Sequence, residues 1–182
     1  SMEACIMLLG SNELNKVIEN GYLNALPENC NSASLDIRIG DSILIEDTAN
    51  GIVDIDSKEN LRWKEVKIPE EGYVVKPVEF FLAHSVEEFN LPDNLSGLFV
   101  LRSSMARCGM NHLHAGWADA GFHSSKLTFE FHNVTQNHSL RIKSGMRVGQ
   151  MIFFEHTPAG NNSYAVKGNY NNSASVRASN GV

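Results

Sequence analysis

The chain has 182 residues and a formal net charge of −6, with 42% hydrophobic and 20% charged residues. That length suits one compact domain able to hide roughly 70% of its unfolded surface, and the ordinary balance of apolar and charged residues excludes wholesale disorder. An acidic chain lacks the basic face that gives most nucleic-acid and membrane-surface binding its affinity, so neither partner is expected, whereas a small anion held by a few local arginines is compatible.

In chain order, Ser11 suits a helix N-cap, and Leu14, Val17 and Ile18 recur at helical spacing before Gly21. This predicts a short amphipathic helix over about Asn12–Asn20. The period then changes. Leu35, Ile37 and Ile39 alternate with Asp36 and Arg38 as in a half-buried strand, and Gly40-Asp41 reads as a turn before Ile43 and Ile45 resume the alternation. The stretch from about Glu46 to Glu71 is polar, with weak strand patterns at Ile52–Ile55 and Val66–Ile68. Gly72–Leu82 is apolar and β-branched, with Pro77 marking an edge or bend. Leu95–Leu101, Lys126–His132 and Met146–Phe154 read as further strands. The closing residues are rich in Asn, Ser and Gly and have little to bury. The expected organisation is a mainly β domain over residues 2–158, a barrel or jelly roll with one short N-terminal helix, and a flexible tail over 159–182. Cys5, Cys30 and Cys108 are odd in number and scattered, so reduced thiols in a cytoplasm are the expectation, and no apolar run approaches the ~20 residues of a membrane span.

Four runs carry candidate chemistry. Arg102-Ser103-Ser104-Met105-Ala106-Arg107 follows a strand and puts two hydroxyls and two guanidiniums within one turn. If a short helix starts there, its free N–H groups join a set that suits phosphate oxygens; a surface turn with solvated arginines fits equally well. His112 to Phe122 brackets Asp119 between Gly116 and Gly121. This is either a hairpin with Trp117 and Phe122 in the core or a turn where a ligand nears the backbone and the carboxylate meets a sugar hydroxyl. His112 and His114 have no third metal ligand at a suitable spacing. In Lys126–Asn133, Leu127, Phe129 and Phe131 share one face, and Thr128, Glu130 and His132 the other. Glu130 is then a solvated residue or, if that face lines a pocket, a proton shuttle. Finally, Ile142–Phe153 is a glycine turn leading into a strand that carries Gln150, either an amide contact to a nucleotide or part of an ordinary hairpin.

Taken together, the blocks R-S-S-x-A-R, A-G-x-x-D-A-G-F, x-L-T-x-E-x and G-M-R-x-G-Q-x-I-F resemble, in order and spacing, the dCTP deaminase branch of the trimeric dUTPase superfamily. E-N-G-Y-L and S-L-D-I-R-I-G near the amino terminus resemble it too, and the likeness covers most of Leu8–Glu155, with a divergent middle at about Glu46–Glu71. The resemblance implies a distorted β-barrel or jelly roll of the dUTPase-like type. It implies a homotrimer with sites shared between subunits, and a hydrolase that deaminates dCTP to dUTP and ammonia with magnesium riding on the triphosphate and no catalytic zinc. It puts Glu130 on the catalytic glutamate and Ser103 and Arg107 on residues that position water and support it. Ala115 falls on a backbone carbonyl that orients water and the cytosine amine. Arg102, Ser104, Met105, Ala106, His112, Asp119, Thr128, Phe129, Gln150 and Tyr164 fall in the nucleotide-binding set, with Asp119 beside the deoxyribose. The family's tail, a candidate active-site lid, has a lysine and a glutamine without clear counterparts here, Lys167, Asn169 and Ser173 being the nearest. The Gly116–Phe122 block reads closer to the bifunctional, dUMP-forming members and to dUTPases than to the dUTP-releasing enzymes. The absence of an H-x-E…P-C-x-x-C pattern agrees with a zinc-free route.

Overall fold

The computed structural model describes residues 6–48, 51–57 and 63–180. Among them the elements run β1 (Met7–Leu8), α1 (Ser11–Glu19), β2 (Leu35–Glu46), β3 (Trp63–Lys67), β4 (Tyr73–Val75), β5 (Phe80–Phe89), β6 (Leu95–Leu101), α2 (Ser103–Arg107), β7 (Met110–His112), β8 (Trp117–Ala118), β9 (Ser125–Asn133), β10 (Leu140–Ile142), β11 (Arg147–Glu155) and α3 (Tyr164–Lys167). The chain is mainly β, as expected, with an all-antiparallel nine-stranded sheet in the order β7-β9-β5-β2-β11-β6-β8. β1 joins it on β11 and β3 on β2, while β4 and β10 form a separate pair. No helix among the described residues is long and apolar enough to cross a membrane. Cys30 and Cys108 are free thiols, and Cys5 lies outside the described residues.

Period-2 alternation sets the core. In β9, Leu127, Phe129 and Phe131 are buried, while Thr128, Glu130 and His132 are partly open. Phe81, Phe89, Phe153, Ile37, Ile39 and Ile43 complete a fully buried centre. The helix packs Leu14 and Val17 inward, but its N-cap is Gly10 and Ser11 is already helical, so the expected hydroxyl cap is absent. Its end is as expected: Gly21 N–H donates to Ile18 O and Tyr22 N–H to Val17 O, both at 3.0 Å, which satisfies two terminal carbonyls.

Two local readings of the sequence are corrected. Gly40-Asp41 does not turn the chain. β2 runs through it, and the ladder to β5 shifts register between Ile39 and Ile43 instead. The buried His84 ring packs against this irregularity. A Cβ on Gly40 would lie 1.9 Å from that ring. Residues 52–55 form no strand, and Ile52 and Ile55 stand exposed.

Candidate active site

β9 pairs with β7 at Phe131–Asn133, and Leu113 N–H just beyond adds one bond to Glu130 O at 3.0 Å, so β7 leaves the flank free only from Phe129 back toward Ser125. The loop after β7 and the closing segment of the chain converge there around a cavity of about 490 Å³. Its walls include Glu130, Thr128, Asp119, Ala115 and Tyr164 from the expected set. They also include Lys126 and Ser173, and Trp63, Phe80, Leu82, Tyr170 and Arg177, which no local pattern had marked as site residues. Leu82 stands directly across the ladder from Glu130. It therefore shares the carboxylate's face and lends it an apolar neighbour.

The Glu130 side chain bends toward the end of β7. Its Oε2 lies 3.2 Å from His112 Nε2, off the alignment of a hydrogen bond, and both atoms are shut off from solvent. His112 is itself buried, with its ring edge-on to Phe99 and Phe131. The arrangement presents a half-enclosed carboxylate to the cavity, backed by an imidazole that aromatic edges hold in place.

Asp119 enters from the other wall. Trp117 Nε1–H donates to its Oδ1 at 2.7 Å, which fixes the carboxylate's rotation. Trp117 is not a core residue, as a plain hairpin would have it. It is 52% exposed and stacks on Phe154, whereas Phe122 is buried. The glycines of this block admit protein rather than open space. A Cβ on Gly116 would strike the Phe99 backbone, and Gly121, at φ +89°, leaves room for the Ser163 hydroxyl.

The closing segment has more to bury than its composition suggests: Ser163, Ser173 and Val176 are all buried. Tyr164 N–H donates to Ala120 O at 2.8 Å, and its ring meets Phe122 edge-on. Burial pushes the Tyr164 phenol pKa up. Further along, Lys126 N–H donates to Ser173 O at 2.7 Å, and Arg177 N–H reaches Thr128 Oγ1 at 3.4 Å. Of the three nearest tail candidates, Ser173 lines the cavity, while Lys167, bonded to Asn162, and Asn169 do not.

The phosphate-type residues are elsewhere. In α2, Met105 is buried and pins the turn, while Ser103, Ser104, Ala106 and Arg107 are exposed. None of these, nor Arg102 or Gln150, lines the cavity of its own chain. Phe129 turns its ring into the core. Among the described residues no three His, Cys, Asp or Glu side chains gather as a metal-ligand set.

With this geometry the class can be stated. The family model for dCTP deaminase-like proteins matches residues 8–156, and the chain belongs to that family. The dCTP deaminase, dUMP-forming, of Sulfurihydrogenibium sp. (strain YO3AOP1) is 35% identical over 152 residues, 81% of this chain and 83% of that protein. Its namesake from Persephonella marina is 32% identical over 177 residues, 95% of this chain and 96% of that protein. Among solved structures, the 2'-deoxycytidine 5'-triphosphate deaminase from Agrobacterium tumefaciens shares the fold, with a TM-score of 0.67 and 17% identity over 82% of this chain. This chain spans about half of that one, 48%.

Proposed function

We propose that the protein removes the C4 amino group of dCTP by hydrolysis and carries the resulting dUTP on to dUMP. The observation that carries the deamination is Glu130, half-enclosed on the cavity wall with one carboxylate oxygen held against His112. Cytosine C4 is a poor electrophile. Glu130 takes a proton from the attacking water as oxygen bonds to C4, and delivers it to N3. Glu130 then passes the proton of the new C4 hydroxyl to the amine, and as the C4–N bond breaks the hydroxyl becomes the uracil carbonyl and ammonia leaves. Ala115 lines the same cavity, and its carbonyl is assigned to orient the water and the amine. Magnesium would come with the substrate, bound to the triphosphate, and Glu130 would activate the water with no zinc ion to lower its pKa.

The resemblance to dCTP deaminases implies dUTP as the product. The names of the curated relatives, together with the Gly116–Phe122 block, support the dUMP-forming alternative instead. In that second step Asp119 takes the proton of a water that attacks the α-phosphorus, and the α–β bond breaks to release pyrophosphate.

The site is shared between subunits of a homotrimer. What supports this reading is the separation between Glu130 in its cavity and the exposed Ser103, Ser104 and Arg107 on α2. A neighbouring copy supplies those groups to the phosphates and to the water. Incubation with dCTP and magnesium, followed by separation of dCTP, dUTP and dUMP, tests the whole reading. Conversion to dUMP is expected. Unchanged dCTP would favour a catalytically idle nucleotide sensor, and hydrolysis of added dUTP without deamination would favour a plain dUTPase.

A further inference from the structure

We infer that Ser96 and His156 form a positioning relay for the Asp119 side of the site, separate from the Glu130 side; the inference rests on the two-step reading above. Ser96 on β6 is 4% exposed, and its hydroxyl is fully committed. It accepts the Ala120 N–H at 3.0 Å and lies 2.8 Å from His156 Nε2. The direction of that second bond is fixed by the other ring nitrogen. His156 Nδ1 lies 2.8 Å from the Thr157 carbonyl, which can only accept, so in the neutral imidazole Nδ1 carries the proton and Nε2 accepts from Ser96. The backbone of His156 is tied in turn by its N–H to Asn94 O at 2.9 Å.

Ala120 directly follows Asp119, and its peptide groups are held from two directions. Its N–H is held by the Ser96–His156 relay and its carbonyl by Tyr164 N–H from the closing segment. Asp119 O also accepts the Phe122 N–H at 3.0 Å, so the turn is tight. Trp117 orients the Asp119 carboxylate, the β6–β8 ladder holds the backbone before it at Ala118, and the relay and the closing segment hold the backbone after it at Ala120. Neither Ser96 nor His156 lines the cavity, so both act through Ala120 rather than on the nucleotide.

The test compares S96A, H156A, H156Q, D119N and E130Q, following dUTP and dUMP made from dCTP, with KM for dCTP and a thermal melt for each. S96A and H156A are expected to slow dUMP formation by about 10- to 100-fold, the scale for a reacting group displaced by about 1 Å, while dUTP accumulates as in D119N. E130Q loses both products. The H156Q amide oxygen occupies the place of Nε2 and restores the wild-type product ratio to within about threefold. H156Q behaving like H156A would overturn the hydrogen-bond relay, whatever the melts show. If wild-type protein makes dUTP and no dUMP, the second-step reading fails. The relay is then judged on KM, which should rise in S96A as in D119N. Wild-type product ratio and wild-type KM in both S96A and H156A would sink it.

Discussion

Glu130 Oε2 and His112 Nε2 face each other at 3.2 Å, both sealed from solvent, although 18 residues separate them in the chain. The three-residue pairing of β7 with β9 creates this contact. Glu130→Gln should keep dCTP binding and lose deamination by ~10²-fold or more, the usual cost of removing a general base. His112→Phe keeps the ring packing and loses the nitrogen. It should slow turnover about tenfold by loosening the carboxylate. Steady-state rates and nucleotide titrations check both, and a Glu130→Gln enzyme with near wild-type turnover would rule out the mechanism.

The proposed sharing of sites between subunits makes a mixing experiment informative. Arg107→Ala and Glu130→Gln should each be nearly inactive, Arg107→Ala at least ~100-fold slower, as for loss of one preorganised charge. Melting temperatures should change little. Mixed trimers bring an intact Arg107 from one subunit to an intact Glu130 of another, so co-refolded or subunit-exchanged protein should regain a sizeable fraction of wild-type activity. If no activity returns although mass measurement shows mixed trimers, each site belongs to one chain.

The water-activation step proposed for Glu130 is zinc-free. Prolonged treatment with a zinc-selective chelator, followed by magnesium, should leave dCTP turnover unchanged. Activity that tracks stoichiometric zinc across preparations would contradict this.

Glu87 predicts a pH effect on stability. Its side chain is fully buried, accepting the Arg38 N–H at 2.6 Å. Burial pushes its pKa above the ordinary 4.5, with Arg38 offsetting part of that rise. The folded state therefore holds this proton more tightly than the unfolded state. The contribution is complete below pH 4.5 and is lost as pH rises through the folded-state value. Glu87→Gln should flatten the fall in melting temperature over that window. An identical pH slope in both proteins would refute the assignment.

Gly40→Ala tests the bulge in β2. The added methyl would meet the His84 ring, which cannot easily retreat because its Nδ1–H is bonded to Ser85 O at 2.8 Å. A loss of about 1–3 kcal/mol is expected, typical of overpacking a tight core. Denaturant unfolding measures it, and a change under about 0.5 kcal/mol would show that the ring yields.

Much of the fold was legible because strand alternation is a direct record of which face is buried. β6, β9 and β11 match their expected spans to within a residue, and Thr128 and Glu130 do share a cavity wall. What sequence could not reveal depends on distant partners. Asp36 looks like the polar side of a half-open strand, yet it is buried, paired with Arg147 at 2.9 Å and with Asn31 at 2.8 Å. Trp117 is apolar enough for the core and instead lies half-exposed, bonded to Asp119. The contribution of Arg177 to the cavity was hidden in a run whose Asn and Ser content carries no periodic signal.

The contact between Lys126 N–H and Ser173 O has a bearing beyond the nucleotide. A half-uncovered strand is a template on which another chain can add itself, and the closing segment occupies part of that template on β9. Ser173 and Val176, both buried, act as an edge guard. Solubility and substrate access are thus set by the same few residues: any change that lifts the segment to widen the cavity also bares a strand prone to self-assembly. Cleavage ahead of Ser173 should therefore yield protein that aggregates on standing, even where its core still melts cooperatively.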